Sequence, residues 1–187
     1  LADGRRIAWR EYGDSAGVPL IALHGTPGSR LKFSTTDAPA RALGLRVIAP
    51  DRWGYGHTHP HPEPDLPRYP ADISALAAHL GLARYAVMGI SGGGPYAAAA
   101  AALLPENVAA LALVAPVGPI AGEPDVVLDR FHRFCFGWFA RDPRAPHITF
   151  RAFRRIMLMA PKTGMAIAMS RVPESDRIVL AAEGVHP

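Results

Sequence analysis

An α/β architecture, with a mostly parallel sheet and helices on both of its faces, is the fold class the sequence predicts. Three observations carry it: short runs that are apolar almost throughout, segments of helical character lying between them, and a glycine-rich turn that joins one run directly to an alanine-rich stretch.

In chain order, Arg6 to Tyr12 sets Ile7 and Trp9 against Arg6 and Arg10, the two-residue period of a half-exposed strand. Gly13 to Pro19 then turns the chain, so the segment is expected as a hairpin element at the sheet edge. Pro19 to Leu23, Leu45 to Ala49, Tyr85 to Ile90 and Val108 to Ala115 are near-continuous apolar runs, as strands buried on both faces must be. Between them Leu31 to Leu43, Pro70 to Leu80 and Pro95 to Leu104 read as helices, the second on Ile73, Leu76, Ala77 and Leu80 at helical spacing. Strand alternating with helix implies right-handed crossovers.

After Pro116 the alternation stops. Phe131, Phe134, Cys135, Trp138 and Phe139 fall on one helical face, and Phe150 to Ala160 repeats the pattern. Pro143, Pro146, Pro161 and Pro173 are expected to break this part into short helices. The predicted organisation is therefore an α/β part over 1–118 and a helical part over 119–187.

Composition bounds the function classes. Of 187 residues, 49% are hydrophobic and 19% charged, enough to bury a sizeable core and to exclude disorder as the main state. The 18 glycines and 19 prolines are too few for a low-complexity chain and punctuate turns instead. A single cysteine, Cys135, excludes an internal disulfide, a CxxC redox pair and a multi-thiolate zinc site, which points to a reducing cytoplasm. The net charge of +4 is far from the basic stripe of a nucleic-acid binder. Eighteen of the 20 basic residues are Arg, a bias typical of GC-rich bacterial genomes. No charge occurs from Tyr85 to Pro105, but Ser91-Gly92-Gly93-Gly94-Pro95 in the middle favours a strand and a buried helix over a membrane span. The chain opens at Leu1 without a cationic leader, so neither a signal peptide nor stable membrane insertion is expected, and the start reads as trimmed.

The sharpest chemical signal is Gly89-Ile90-Ser91-Gly92-Gly93, a G-x-S-x-G pattern between an apolar strand and a helix with Pro95 in its first turn. A nucleophile on so abrupt a turn needs almost no side chain two residues to either side, and Gly89 and Gly93 meet that demand. The helix that starts there turns its free N–H groups and positive dipole end toward Ser91, favouring a developing oxyanion. His24-Gly25-Thr26-Pro27-Gly28 follows another buried strand, at the carboxyl edge where α/β proteins build their sites. Its Thr26 N–H can donate to an oxyanion, whereas Pro27 cannot. The plainer alternative is an ordinary Gly/Pro turn with His24 as a satisfied core histidine.

These residues, with Asp51-Arg52-Trp53-Gly54-Tyr55-Gly56, resemble the three signature loops of the α/β-hydrolase superfamily in order and spacing. The likeness covers Ala2 to about Pro116, and the part after it resembles the helical cap of such enzymes. The resemblance implies Ser91 as nucleophile, the N–H groups of Gly92 and Thr26 as the oxyanion hole, a small ester-like substrate, and neither cofactor nor metal. Family members usually carry proline where this chain has Trp53, a change expected to alter a loop wall and leave the chemistry alone.

The family supplies its acid and its histidine after two further strands, which this sequence lacks, so it reads as an α/β-hydrolase fold truncated after the cap. Val108 to Ala115, the family's sixth strand, would then expose an apolar edge for a second copy or a companion chain to cover. The 187 residues alone are expected to show no appreciable esterase activity, unless Asp125 serves as acid and His132, His147 or His186 as base. A non-catalytic member of the fold is the competing reading. Three weaker signals remain. His57, His59 and His61 suggest a metal only faintly, without a carboxylate at fixed spacing. Seven arginines between Arg130 and Arg155 read as a solvated face, or as an attraction for acidic substrates or a membrane surface. Gly92-Gly93-Gly94-Pro95-Tyr96-Ala97 formally fits a dinucleotide fingerprint, but the following strand ends in Pro116-Val117-Gly118 rather than in an acid. Aromatic and methionine side chains from Phe131 to Met159 can line an acyl pocket or form the cap's own core.

Overall fold

A five-stranded sheet organises the first part of the chain: β1 (Trp9–Gly13), β2 (Val18–Leu23), β3 (Leu45–Pro50), β4 (Tyr85–Ile90) and β5 (Val108–Val114), in the order β1-β3-β2-β4-β5. The computed structural model describes residues 1–119, 130–142 and 144–170, together with positions 172, 174, 176 and 178. β2, β3, β4 and β5 run parallel, and β1 is antiparallel to β3, with Trp9 opposite Pro50. The expected hairpin does not form. The turn after β1 instead crosses the start of β3, where the Asp14 N–H donates to Leu45 O (2.9 Å) and the Val18 N–H to Gly44 O (2.8 Å), so β1 lands on the far side of β3.

Strand order decides where the helices go. From β2 the chain steps to β3 on one side and then crosses back over β2 to β4, so right-handed crossovers place the connecting helices on opposite faces. On one face Ile21, Leu23, Ile48 and Val87 pack with Ile73, Leu76 and Ala77 of α2 (Tyr69–His79) and Ala97 and Ala100 of α3 (Gly94–Leu103). On the other, Ala22, Val47 and Ala49 meet Phe33 and Ala40, the latter from α1 (Asp37–Ala42). Alternate residues of one strand thus feed two cores, which is why these strands are apolar throughout. Leu31 to Leu43 is not one helix: a 3-10 turn, Arg30–Thr36, precedes α1, because Pro39 has no N–H with which to continue an α-helical ladder.

β5 is the sheet edge among the described residues, with Leu111, Leu113 and Val114 exposed. Tyr85 to Pro105, the long uncharged stretch, is β4, the turn and α3, and among the described residues no helix is long and apolar enough to cross a membrane.

The chain divides into two compact units, Leu1–Gly122 and Glu123–Pro187. In the second, α4 (Arg130–Arg141), α5 (Arg144–Met159) and α6 (Pro161–Met169) follow one another. Pro146 does not break α5, since in the first turn its missing N–H would have no partner anyway, and Pro161 opens α6 for the same reason. Phe139 and Phe150 bridge α4 and α5 at a centroid distance of 6.3 Å, whereas Phe134 and Met159 are largely exposed. All seven arginines from Arg130 to Arg155 are exposed as well.

Replacing fully buried Ile48 with Ala should cost about 2–5 kcal/mol, against less than about 0.5 kcal/mol for Leu43→Ala on the surface of the same unit. Urea denaturation of the two variants measures the difference.

Candidate active site

The carboxyl ends of β2 and β4 lie side by side, with Leu23 paired to Gly89, and the strand order reverses there, so the loops after both strands open into one crevice. β4 ends at Ile90, a 3-10 turn holds Ser91–Gly93, and α3 starts at Gly94. Ser91 sits at the apex with φ 50°, in the left-handed region that costs an ordinary residue about 1–2 kcal/mol. Its carbonyl accepts from the Val117 N–H at 3.1 Å.

Two glycines make the turn sterically feasible. A Cβ at Gly89 would lie 2.6 Å from Gly93 O and 2.8 Å from the Ala97 Cβ, so strand and helix touch where the side chain would be. A Cβ at Gly93 would meet His24 O at 2.7 Å, jamming the elbow into the end of β2. Gly28 answers a different crowding, because its Cβ would press on Gly25 O and His24 Nδ1 of its own loop.

The structure brings the three predicted site residues together. A Cβ at Gly25 would stand 3.6 Å from Ser91 Oγ, and one at Gly92 would stand 3.4 Å from Thr26 N. With standard bond lengths, the first distance bounds Thr26 N within roughly 7.6 Å of Ser91 Oγ. Ser91 and Gly92 are half-buried and Thr26 is exposed, so the crevice between them is open to a substrate. The Thr26-Pro27 peptide is cis.

The histidine and the acid of the two flanking loops are structural. His24 is fully buried: Nδ1 donates to Gly25 O at 2.8 Å, and Nε2 accepts the Arg52 N–H at 3.1 Å. Burial lowers its pKa below the ordinary 6.5, and the Arg52 charge adds to the effect. Asp51, also buried, accepts the Arg30 N–H (2.6 Å), pairs with the Arg30 guanidinium and accepts the His57 N–H (3.1 Å). It therefore ties two loops to the end of β3. Arg52 turns the opposite way and holds the His24–Thr26 loop: Nε donates to His24 O (2.8 Å), and Nη2 to Gly25 O (3.0 Å) and Thr26 Oγ1 (2.6 Å). Sequence reasoning missed Arg52, whose only signal was its place in the second loop.

Trp53 is a core anchor rather than a loop wall. It is buried, donates from Nε1 to Asp72 Oδ2 at 2.7 Å, and meets the rings of Tyr69 and Tyr96 edge-on at centroid distances of 5.1 and 6.3 Å. Arg5 clasps the same Asp72 through two guanidinium bonds of 2.7 Å each.

Of the other histidines, His59 Nε2 faces the Arg6 guanidinium, His61 lies against Trp53, and His79 meets Trp9 edge-on. No group of three or more His, Cys, Asp or Glu is placed to hold a metal among the described residues. None of the described imidazoles of the first unit hydrogen-bonds to Ser91 Oγ. His132 and His147 belong to the second unit, while Asp125 and His186 lie outside the described residues.

Comparison with known proteins identifies the family. The family described as alpha/beta hydrolase fold matches residues 18–158, and the chain belongs to it. The dihydrolipoyllysine-residue acetyltransferase component of the acetoin cleaving system of Pseudomonas putida is 36% identical over 116 residues, which cover 62% of this chain and 31% of that one. The non-heme chloroperoxidase of Streptomyces lividans is 34% identical over 126 residues, 66% of this chain and 46% of the relative. The chain thus spans about a third to a half of the length of these relatives. Among solved structures, the N-acyl homoserine lactonase AidH complexed with N-butanoyl homoserine aligns with a TM-score of 0.52 at 30% identity, covering 60% of this chain and 42% of the other.

The state of His24 predicts a pH dependence. Its folded pKa is depressed, so as pH falls through about 6.5 the unfolded chain takes up this proton first. Stability is then fully present above that pH and declines below it, by at most about 1.4 kcal/mol per pH unit. Urea midpoints measured between about pH 7.5 and 5.5 should fall more steeply in the native protein than in His24→Gln, whose amide oxygen accepts from the Arg52 N–H without titrating.

Proposed function

We propose that this chain carries the nucleophile and oxyanion hole of a serine hydrolase that cleaves small carboxylic esters. The observation that supports this most is the convergence at the crevice: a serine at φ 50° whose Oγ stands 3.6 Å from the Cβ position of Gly25, beside the Thr26 and Gly92 N–H groups. Ser91 Oγ attacks the ester carbonyl while a general base takes its proton. The carbonyl oxygen becomes an oxyanion that accepts from the Gly92 and Thr26 N–H groups, with the amino end of α3 adding its positive dipole. Collapse expels the alcohol, and water releases the acid from the acyl-serine. AidH is named a lactonase, a protein that acts on a cyclic ester, and the Pseudomonas relative is named an acetyltransferase; both are acyl chemistry.

In this reading residues 119–187 correspond to the helical cap of the family. The chemistry calls for neither metal nor cofactor, the substrate is a small molecule rather than a nucleic acid, and the site of action is the bacterial cytoplasm. The exposed β5 edge is covered by a second copy or a companion chain. Because His24 is locked into the first loop, the base is another histidine than the one nearest in sequence to the oxyanion loop.

The test is steady-state hydrolysis of p-nitrophenyl butyrate by the intact protein. Ser91→Ala should lower kcat by at least about 10³-fold without altering the thermal midpoint by more than a few degrees. Turnover that survives the substitution overturns the assignment.

A further inference from the structure

We propose that the Thr26 hydroxyl is a third oxyanion donor, held in that role by Arg52 and Tyr55. This deepens the serine-hydrolase reading and rests on it.

Arg52 is 3% exposed, and its guanidinium lies over the rings of Tyr55 and Tyr96, 4.9 and 4.7 Å from their centroids. Among the described residues no carboxylate forms an ion pair with it, since neighbouring Asp51 is spent on Arg30. A buried cation without an acid is costly unless its donors are satisfied. Its Nε and Nη2 donors are met here by two loop carbonyls and, at the shortest distance of 2.6 Å, by Thr26 Oγ1. The same oxygen accepts from Tyr55 Oη at 3.1 Å.

A threonine hydroxyl has two lone pairs and one proton. With both lone pairs taken, the proton has only outward directions left. Accepting from a cation also polarises the O–H bond and makes it a stronger donor. What lies outward is the crevice: Thr26 is exposed, and its Oγ1 stands 2.9 Å from the Cβ position of Gly92, over the residue whose N–H is the first donor of the oxyanion hole. One residue therefore presents N–H and Oγ–H to the same developing charge. Arg52 delivers positive charge to it through one hydroxyl without facing the substrate, which makes Arg52 and Tyr55 positioning residues and Thr26 a catalytic one.

Thr26→Val keeps shape and backbone N–H and removes the hydroxyl; Thr26→Ser keeps it. Measured with p-nitrophenyl butyrate, Thr26→Val should lower kcat by roughly 10²-fold with KM changed less than about twofold, while Thr26→Ser stays within about threefold of native. The inhibition constant of phenylboronic acid, which forms an anionic tetrahedral adduct on serine, should rise in parallel for Thr26→Val only. Tyr55→Phe removes a donor to Oγ1 and should lower kcat roughly 3- to 10-fold. If Thr26 instead spent its proton on Tyr55, the same change would leave kcat equal or raise it, which would overturn the proposal, as would native kcat in Thr26→Val. Should Thr26→Val not fold, Thr26→Ala carries the same expectation. Failure of the Ser91→Ala test removes the underlying reading, whereas a Ser91-dependent enzyme indifferent to Thr26→Val removes this inference alone.

Discussion

The close approach of β4, α3 and the end of β2 is the constraint on which the site depends. A strand that turns into a helix within three residues must bring its end against the helix, and Gly89, with a hypothetical Cβ only 2.6 Å from Gly93 O, is where they meet. The same compression forces Ser91 into the left-handed region and lifts its side chain clear of the sheet. Strain of about 1–3 kcal/mol at such a position persists only because both faces of the sheet are well packed, by α2 and α3 on one side and by α1 with Phe33 on the other.

The end of β3 does the complementary work. Adjacent side chains of a strand point to opposite faces, and Asp51 and Arg52, just beyond the strand, continue that divergence. Asp51 gathers the loops around Arg30 and His57, while Arg52 gathers the loop from His24 to Thr26. His24 completes the arrangement by accepting the Arg52 N–H, so the loop from His24 to Thr26 is fixed from side chain and backbone together. Preorganised donors of this kind need not reorient when charge develops, which is the physical basis of their effect on rate.

Much of this was legible in the sequence. Apolar runs buried on both faces announced β2 to β4 within a residue or two, and the glycines flanking Ser91 announced the elbow, because steric demands on backbone translate directly into residue type. The β1 pairing was not legible: a two-residue period says that a strand is half-exposed, not which strand it joins, and only the bonds of Asp14 and Val18 to the start of β3 decide it. The continuity of α5 through Pro146 depends on exact helix phase, which a run of prolines conceals. Trp53 was misjudged because a bulky residue in a glycine-rich loop gives no hint that Asp72, nineteen residues away in sequence, receives its indole N–H. Arg52 was invisible for a related reason, since two of its three side-chain bonds go to main-chain carbonyls of another loop, which leave no pattern in residue types.

In the proposed reading, crowding at the elbow makes Ser91 a nucleophile poised beside its own oxyanion donors. A covalent probe tests this: incubate the intact protein with a fluorophosphonate, digest it, and locate the adduct by mass spectrometry. One modified residue, Ser91, is expected, with no adduct in Ser91→Ala or in protein unfolded before exposure. An adduct on a different residue, or equal labelling of native protein and Ser91→Ala, would contradict it.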